Sequence, residues 1–163
     1  MAVDMFINMG PNIKGETQDE AQKKANDIDV LAWSWGLSQS GTTHMGSGGG
    51  SGKVNVQDLS YTKYVDSASH ALILHVTNGK HIPKVILLCR KAGGEQKKYI
   101  ELTLEDVLVT SVSTGGSGGE DRLTENVSLN FAKYSFEYFK QDSTGETKSA
   151  GSAKYNIAAN KQM

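Results

Sequence analysis

The 163-residue chain reads as an all-β protein with one short α-helix, either a sandwich or a barrel. Three observations carry that reading. Apolar residues recur with period two through seven or eight segments, the period of a half-buried strand. Only one segment carries an i, i+3, i+4 apolar stripe. The breaks between segments are rich in glycine, with 18 glycines against two prolines. Closure into a barrel is attractive because it removes exposed strand edges.

Taken in order, residues 1–9 alternate Val3, Met5, Ile7 and Met9 with Asp4 and Asn8, although Phe6 breaks the pattern. Residues 12–26 are charged and amide-rich and read as a loop or a short helix. Residues 27–40 form a long strand. Its large residues Leu31, Trp33, Trp35 and Leu37 share one face, expected in the core, and Val30, Ala32, Ser34 and Gly36 share the other. Residues 41–52 (GTTHMGSGGGSG) are too glycine-rich for regular structure and read as a long loop. Extended character resumes over 53–64. Residues 66–79 are the helix candidate, with Ser67 or Ser69 as cap, a stripe of Ala68, Ala71, Leu72 and Val76, and Gly79 after its end. An apolar strand follows over 84–91, a turn over 92–96, and two strands over 98–104 and 106–114. A second glycine cluster, 115–121, precedes the longest strand candidate, 123–140. There the apolar set Leu123, Val127, Leu129, Phe131 shifts phase to Tyr134, Phe136, Tyr138, which predicts a bulge or sharp bend near Ala132 and Lys133. Residues 141–152 read as a polar linker and 153–160 as a short closing strand.

The length fits a single domain over 1–163, able to bury roughly 70% of its unfolded surface without disulfides or metal. Lys and Arg number 17 and Asp and Glu 18, a net charge of −1 that provides no footprint for nucleic acid or an anionic membrane. No apolar run approaches the ~20 residues of a membrane span. The amino terminus carries no basic region followed by an apolar core, so no cleavable signal is expected and synthesis in the cytoplasm is. The single Cys89 excludes an internal disulfide framework.

Local chemistry points to no enzyme and no cofactor. Gly115-Gly116-Ser117-Gly118-Gly119 satisfies the G-x-S-x-G nucleophile-elbow pattern, but the elbow needs a helix after it and the next segment alternates as a strand. Gly52-Lys53 resembles the end of a phosphate-binding loop, with Ser47 and Val54 where that loop requires glycine and Ser or Thr. His70, His75, His81 and Cys89 lack a metal-ligand spacing, and His70 and His75 turn away from each other on a helix. The acid pairs Asp27/Asp29 and Glu120/Asp121 read as solvated strand ends. Asn126-Val127-Ser128 matches a glycosylation sequon with nothing else to support it. A carbohydrate-binding barrel is the alternative, but it would expose aromatic residues on a concave face, whereas Trp33 and Trp35 are expected in the core together with Val127, Leu129 and Phe131.

What this leaves unexplained is a strand with a small, polar reverse face and two glycine clusters at different strand ends. Here the chain resembles a known family. The blocks MAVDMFI, KGE, IDVLAWSWGLSQSG, GKVNVQDLSYTKYVD and RKAGGEQKKYIELTLEDVLVTSVSTGGSGGEDRLTENVSLNF strongly resemble the Hcp family, the haemolysin co-regulated proteins of the bacterial type VI secretion machine. The resemblance implies a closed β-barrel of two packed antiparallel sheets, assembling into a hexameric ring with a wide lumen. It implies rings that stack into a tube driven out by a contractile sheath behind a spike protein, with effector proteins carried in the lumen and no cleavable signal needed for export. The partners so implied are the chain itself, the spike, the sheath and effectors, without nucleic acid or membrane insertion. The chain departs from the family pattern at Tyr155-Asn156-Ile157, where Trp is common, and over 141–152.

Within that frame the small face of Ala32, Ser34 and Gly36 is expected to line the lumen. The loop containing Gly41, Thr42, Thr43, His44, Met45, Gly46, Ser47 and Gly48 is expected to reach the adjacent ring.

Overall fold

The computed structural model describes residues 3–41, 44, 52–91 and 96–163. In chain order its strands are β1 (Val3–Asn8), β2 (Ile28–Ser34), β3 (Leu37–Ser38), β4 (Asn55–Val56), β5 (Leu59–Tyr64), β6 (Ile82–Lys91), β7 (Lys98–Thr114), β8 (Thr124–Gln141), β9 (Thr147–Asn156) and β10 (Lys161–Gln162). The helix α1 (Ser69–Asn78) lies between β5 and β6, and a short 3-10 turn, Lys23–Ala25, sits in the loop before β2. No helix among the described residues is long and apolar enough to cross a membrane.

Neighbouring strands pair antiparallel in the order β8-β5-β2-β1-β6-β7, and β7 returns to β8, so six strands close a barrel. Strand β9 pairs with the far half of β8 and β10 with the end of β9, outside the closed ring of strands. The barrel interior holds one core that includes Ile7, Ile28, Leu59, Leu87, Leu102, Leu104, Val127 and Leu129, all without exposed surface.

Two sheets arise because the long strands bend. Along β7 the inward residues are Leu102 and Leu104, then Val107 and Val109; along β6 they are Ile82, then Val85 and Leu87. The phase moves by one residue at the same level in both strands, and β8 moves there as well. Asp106 adopts a left-handed backbone (φ 54°) at this level, while pairing keeps one register from Leu102↔Phe136 to Val109↔Leu129. The phase shift expected near Ala132 is therefore a bend shared by three strands, not an inserted residue. It also explains why 98–104 and 106–114 read as two strands: they are one strand, β7, crossing from one sheet to the other.

Strand β2 corrects the expected core face. Its pairing with β5 shifts between Val30 and Ala32, and Leu31 is the extra residue. Ile28 and Val30 point inward before that bulge and Trp33 after it. Val30, expected on the small outer face, is thus buried, whereas Leu31 and Leu37, expected in the core, are 39% and 43% exposed. Trp33 and Trp35 are half-buried and pack against the core. Trp35 does so through Tyr134 (ring centroids 5.0 Å, edge-on) and Phe131 and Phe136 (both 6.4 Å).

The helix is shorter than expected, and Ala68, not a serine side chain, occupies its cap position. Asp66 Oδ1 instead accepts from the Ala68 N–H (2.9 Å), and Ser69 Oγ accepts from the Asp66 N–H (3.0 Å). Gly79 follows in a left-handed conformation (φ 67°), its N–H bonded to the His75 carbonyl. Ala68, Ala71 and Leu72 are buried as the stripe requires, but His75 takes the inner place given to Val76. Phe6 is buried although it points away from the barrel interior, because Arg90 stacks on its ring (4.7 Å) and pairs with Asp19 of the overlying loop (2.5 Å). That loop approaches β2 so closely that a Cβ at Gly15 would lie 2.3 Å from the Asp27 carbonyl oxygen.

Residues 141–152 are not a linker. Asp142 Oδ1 accepts from the N–H groups of Thr144 (2.9 Å) and Glu146 (3.0 Å) to form a tight turn, and Thr147 begins β9. The closing strand is β9 itself, longer than 153–160 and starting earlier. The turn expected over 92–96 falls largely outside the described residues.

Candidate assembly surface

The bend leaves β2, β5, the first half of β8 and the second half of β7 as a four-stranded sheet, in the order β2-β5-β8-β7. Its inner face is core. Its outer face consists of two rows set by register. One row is Ser34, Ser60, Ser128 and Ser111; the other is Ala32, Thr62, Asn126 and Ser113. None of these side chains is ionisable. They bond to one another across strands, Ser60 Oγ to Ser128 Oγ at 3.3 Å and Thr62 Oγ1 to Asn126 Oδ1 at 2.7 Å. Charges appear only at the rims. At one, Asp58 accepts from Thr110 Oγ1 and Asn130 Nδ2, both at 2.9 Å. At the other, Arg122 lies 3.9 Å over the Tyr64 ring.

Both lateral edges of this sheet are open. The β1–β2 ladder is confined to Phe6↔Asp29 and Ile7↔Ile28, and the β6–β7 ladder ends at Ile82↔Val107. Among the described residues no strand pairs with the outer edge of β2 after Ile28–Asp29 or of β7 after Val107.

Of the residues expected to line a shared surface, Ala32 and Ser34 lie on this face and are exposed. Gly36 follows in the same line, half-buried at the junction to β3, where a Cβ would meet Gln57 Oε1 at 3.0 Å. In the expected contact loop, Gly41 and His44 are exposed; Thr42, Thr43, Met45, Gly46, Ser47 and Gly48 lie outside the described residues. The loop springs from the tip of the β3–β4 hairpin (Leu37↔Val56). Val127, Leu129 and Phe131 are buried. The partners Ser60, Thr62, Ser111 and Ser113 were not singled out by the sequence. The run of Ser, Thr and Asn at alternate positions in three strands is the signal that marks them.

Beneath this sheet lies a buried ionic cluster. Lys63 and Glu125, cross-strand neighbours with almost no exposed surface, form a salt bridge. Lys63 Nζ also lies 2.9 Å from Asp66 Oδ1 and donates to Ser69 Oγ (3.2 Å), and Ser69 Oγ donates to Glu125 Oε1 (2.6 Å). The cluster fastens the start of α1 to the end of the barrel. Close by, burial holds the Tyr61 phenol well above its ordinary range, reinforced by the carboxylates of Asp66 and Glu125; its hydroxyl meets Met9 Sδ at 2.9 Å.

The other chemical candidates fall apart in space. Ser117 is exposed in the turn joining β7 to β8, two strands. His70 is exposed, His75 is buried against the Ala71 carbonyl (2.7 Å) and His81 pairs with Asp106 (2.7 Å). Cys89 is buried in β6, its thiol pushed up by burial. No group of three or more His, Cys, Asp or Glu that could hold a metal ion occurs among the described residues. Asp27 is buried rather than a solvated strand end, and its carboxyl is raised mainly by that burial despite a 2.7 Å bond from Asn8 Nδ2. Asp29 accepts from Thr17 Oγ1 at 2.7 Å.

An uncharged sheet face between two strand edges that are unpaired among the described residues is a surface of the kind β-proteins cover by further packing. Comparison with known proteins supplies the family. The family model described as "Type VI secretion system effector, Hcp" matches residues 6–138. Protein hcp1 of Pseudomonas aeruginosa is 58% identical over 165 residues, covering 99% of each chain. A solved type six secretion system protein superposes with a TM-score of 0.91 at 28% identity, over 99% of this chain and 100% of that one. The crystal structure of Hcp1 from Salmonella typhimurium gives 0.79 at 38% identity over the whole of both chains. The chain belongs to the Hcp family of the type VI secretion system, a family of structural, secreted proteins and not of enzymes.

Proposed function

We propose that this chain is the subunit of a type VI secretion tube. Six copies form a ring, rings stack, and the uncharged face of the β2-β5-β8-β7 sheet lines a lumen in which effector proteins travel. The observation that carries this reading is the pairing of that face with two open edges. The edge of β7 in one copy and the edge of β2 in the next are different patches, so contact between them is heterologous and closes by rotation. Closure by a ring also removes the edges that would otherwise template uncontrolled pairing. Short hydroxyl and amide side chains give passing cargo hydrogen-bonding partners without the strong attraction of fixed charge.

Export follows from the machine and needs no cleavable signal. The spike, the contractile sheath and cargo effectors are the partners this assignment brings. The loop over 41–52 is the axial contact, reaching the next ring from the tip of its hairpin.

Two experiments separate these roles. Ser34→Gln places a larger amide on the lumen wall and is expected to lose co-purifying effectors while leaving the ring intact; unchanged recovery would remove Ser34 from the cargo surface. Deletion of 46–52 is expected to leave rings but shorten or abolish tubes; tubes of native length would end the stacking role of the loop.

A further inference from the structure

The end of α1 carries chemistry that the tube reading does not use. We propose that Asn78-Gly79 is a self-modification site, where the Gly79 backbone nitrogen displaces ammonia from the Asn78 carboxamide when the last helical turn opens. The chain thereby acquires a carboxylate that records its age.

Asn78 is the only one of nine asparagines followed by glycine. Each of the other eight precedes a residue whose Cβ crowds the backbone nitrogen that must attack. At this site the nitrogen is uncovered. Asn78, Gly79 and Lys80 are all exposed, and a Cβ added at Gly79 would meet nothing within 4 Å.

The local geometry acts on the two reacting groups in opposite directions. Asn78 Oδ1 accepts from the Lys80 N–H (2.9 Å). An N–H donated to that oxygen draws charge from the carboxamide carbon and steadies the oxyanion formed when a nucleophile adds to it. The electrophile is therefore prepared in the folded chain, and the nucleophile is not. The Gly79 N–H, whose proton must leave, is donated to the His75 carbonyl (3.0 Å), and Asn78 is the last residue of the helix. Helix ends open far more easily than the fold as a whole. Opening of one turn frees the Gly79 nitrogen, while the bond from Lys80, only two residues away, is local and survives.

Solvent base then takes the Gly79 proton, and the nitrogen bonds to Asn78 Cγ. The Cγ–Nδ2 bond breaks, and the amide nitrogen takes up a proton and leaves as ammonia, closing a succinimide ring. Water, the only co-reactant, adds across one of the two imide C–N bonds. One opening gives aspartate. The other gives isoaspartate, in which the main chain runs through Cβ and Cγ. Either product places a negative charge at the carboxyl end of α1, where the aligned peptide dipoles disfavour it.

The test ages the full native chain in a mildly alkaline buffer and follows the tryptic peptide 64–80, in which Asn78 is the sole amide side chain. An unaged sample digested alongside sets the zero. The peptide is expected to gain the mass of an amide-to-acid exchange and to split into aspartyl and isoaspartyl products. The reaction is expected to run roughly ten- to a hundredfold slower than in the same chain unfolded in guanidinium chloride, the margin of a frayed helix end. A peptide that stays unchanged in the native chain while the unfolded chain reacts overturns the site. Equal rates in the two states overturn the gate at the helix end. Aspartate without isoaspartate overturns attack by Gly79, because direct hydrolysis gives that product alone. Asn78→Gln, whose longer side chain would have to close a larger ring, is expected to keep its mass; a comparable gain there would also overturn the mechanism.

Discussion

Strands β7 and β8 pass through two environments, one on each side of the bend at Asp106, and the two halves differ in what they show to the outside. In the half shared with β2 and β5, every second residue is Ser, Thr, Asn or Ala, and no ionisable group lies in the two rows. In the half shared with β6 and β9, the corresponding positions include Glu101, Glu105, Lys133 and Glu137, and Arg90 and Asp19 cover the adjacent β1–β6 face. Inward, the contrast reverses. The core of the charged half is built from aliphatic Leu102 and Leu104 with aromatic Tyr134 and Phe136 packed against it, whereas the uncharged half hides Lys63 and Glu125 beneath it. Solvation alone would scatter charge over both outer faces. One smooth face on an otherwise charged protomer is the contrast on which the proposed contact with passing cargo rests.

The largest effect expected from this contrast lies inside. Removing one member of a buried ion pair leaves the other uncompensated, so Glu125→Ala should cost about 3–5 kcal/mol of unfolding free energy in urea. A loss below 1 kcal/mol would show that Lys63 finds Asp66 alone sufficient. A smaller effect, with a sign set by pH, belongs to Asp27 in the charged half. Its carboxyl is raised by burial, so its protonated form is the better fitted to the fold. The stability it contributes is complete below its ordinary value of 3.8 and is lost as pH rises through the higher folded value. Asp27→Asn removes that titration and still offers an oxygen to Asn8. Relative to the native chain, the variant should gain stability as pH rises from about 3 to 7, and a difference independent of pH would contradict the burial account. The smallest effect is expected on the smooth face. Ser128→Ala should change stability by no more than about 0.5 kcal/mol, because its partner Ser60 remains open to water. A larger cost would make that face a structural necessity and weaken the case that it serves cargo.

Much of this arrangement was readable from sequence because period two survives in every strand that has one dry and one wet face. Val127, Leu129 and Phe131, and Ser34 with Ala32, follow it directly. The failures mark places where a backbone event intervenes without a residue signal. Leu31 is an extra residue in β2, and a bulge of this kind needs no glycine, so simple alternation gives Val30 and Leu31 the opposite of their actual faces. Asp106 takes a left-handed conformation normally given to glycine or asparagine, so the apolar pattern breaks there as between two strands although β7 is continuous. Strand β9 is exposed along almost its whole length, and a strand with two wet faces carries no apolar alternation to find. The smooth face was half legible: one strand gave Ala32 and Ser34, but its partners follow only from register, which no single strand contains.

The central claim is that this face lines the hole of a ring, and one image tests it. Ser34→Cys in a Cys89→Ala background, labelled with a maleimide gold cluster, should give annular particles in negative stain with the label density inside the central hole. Label on the outer rim, or particles without a hole, would contradict it.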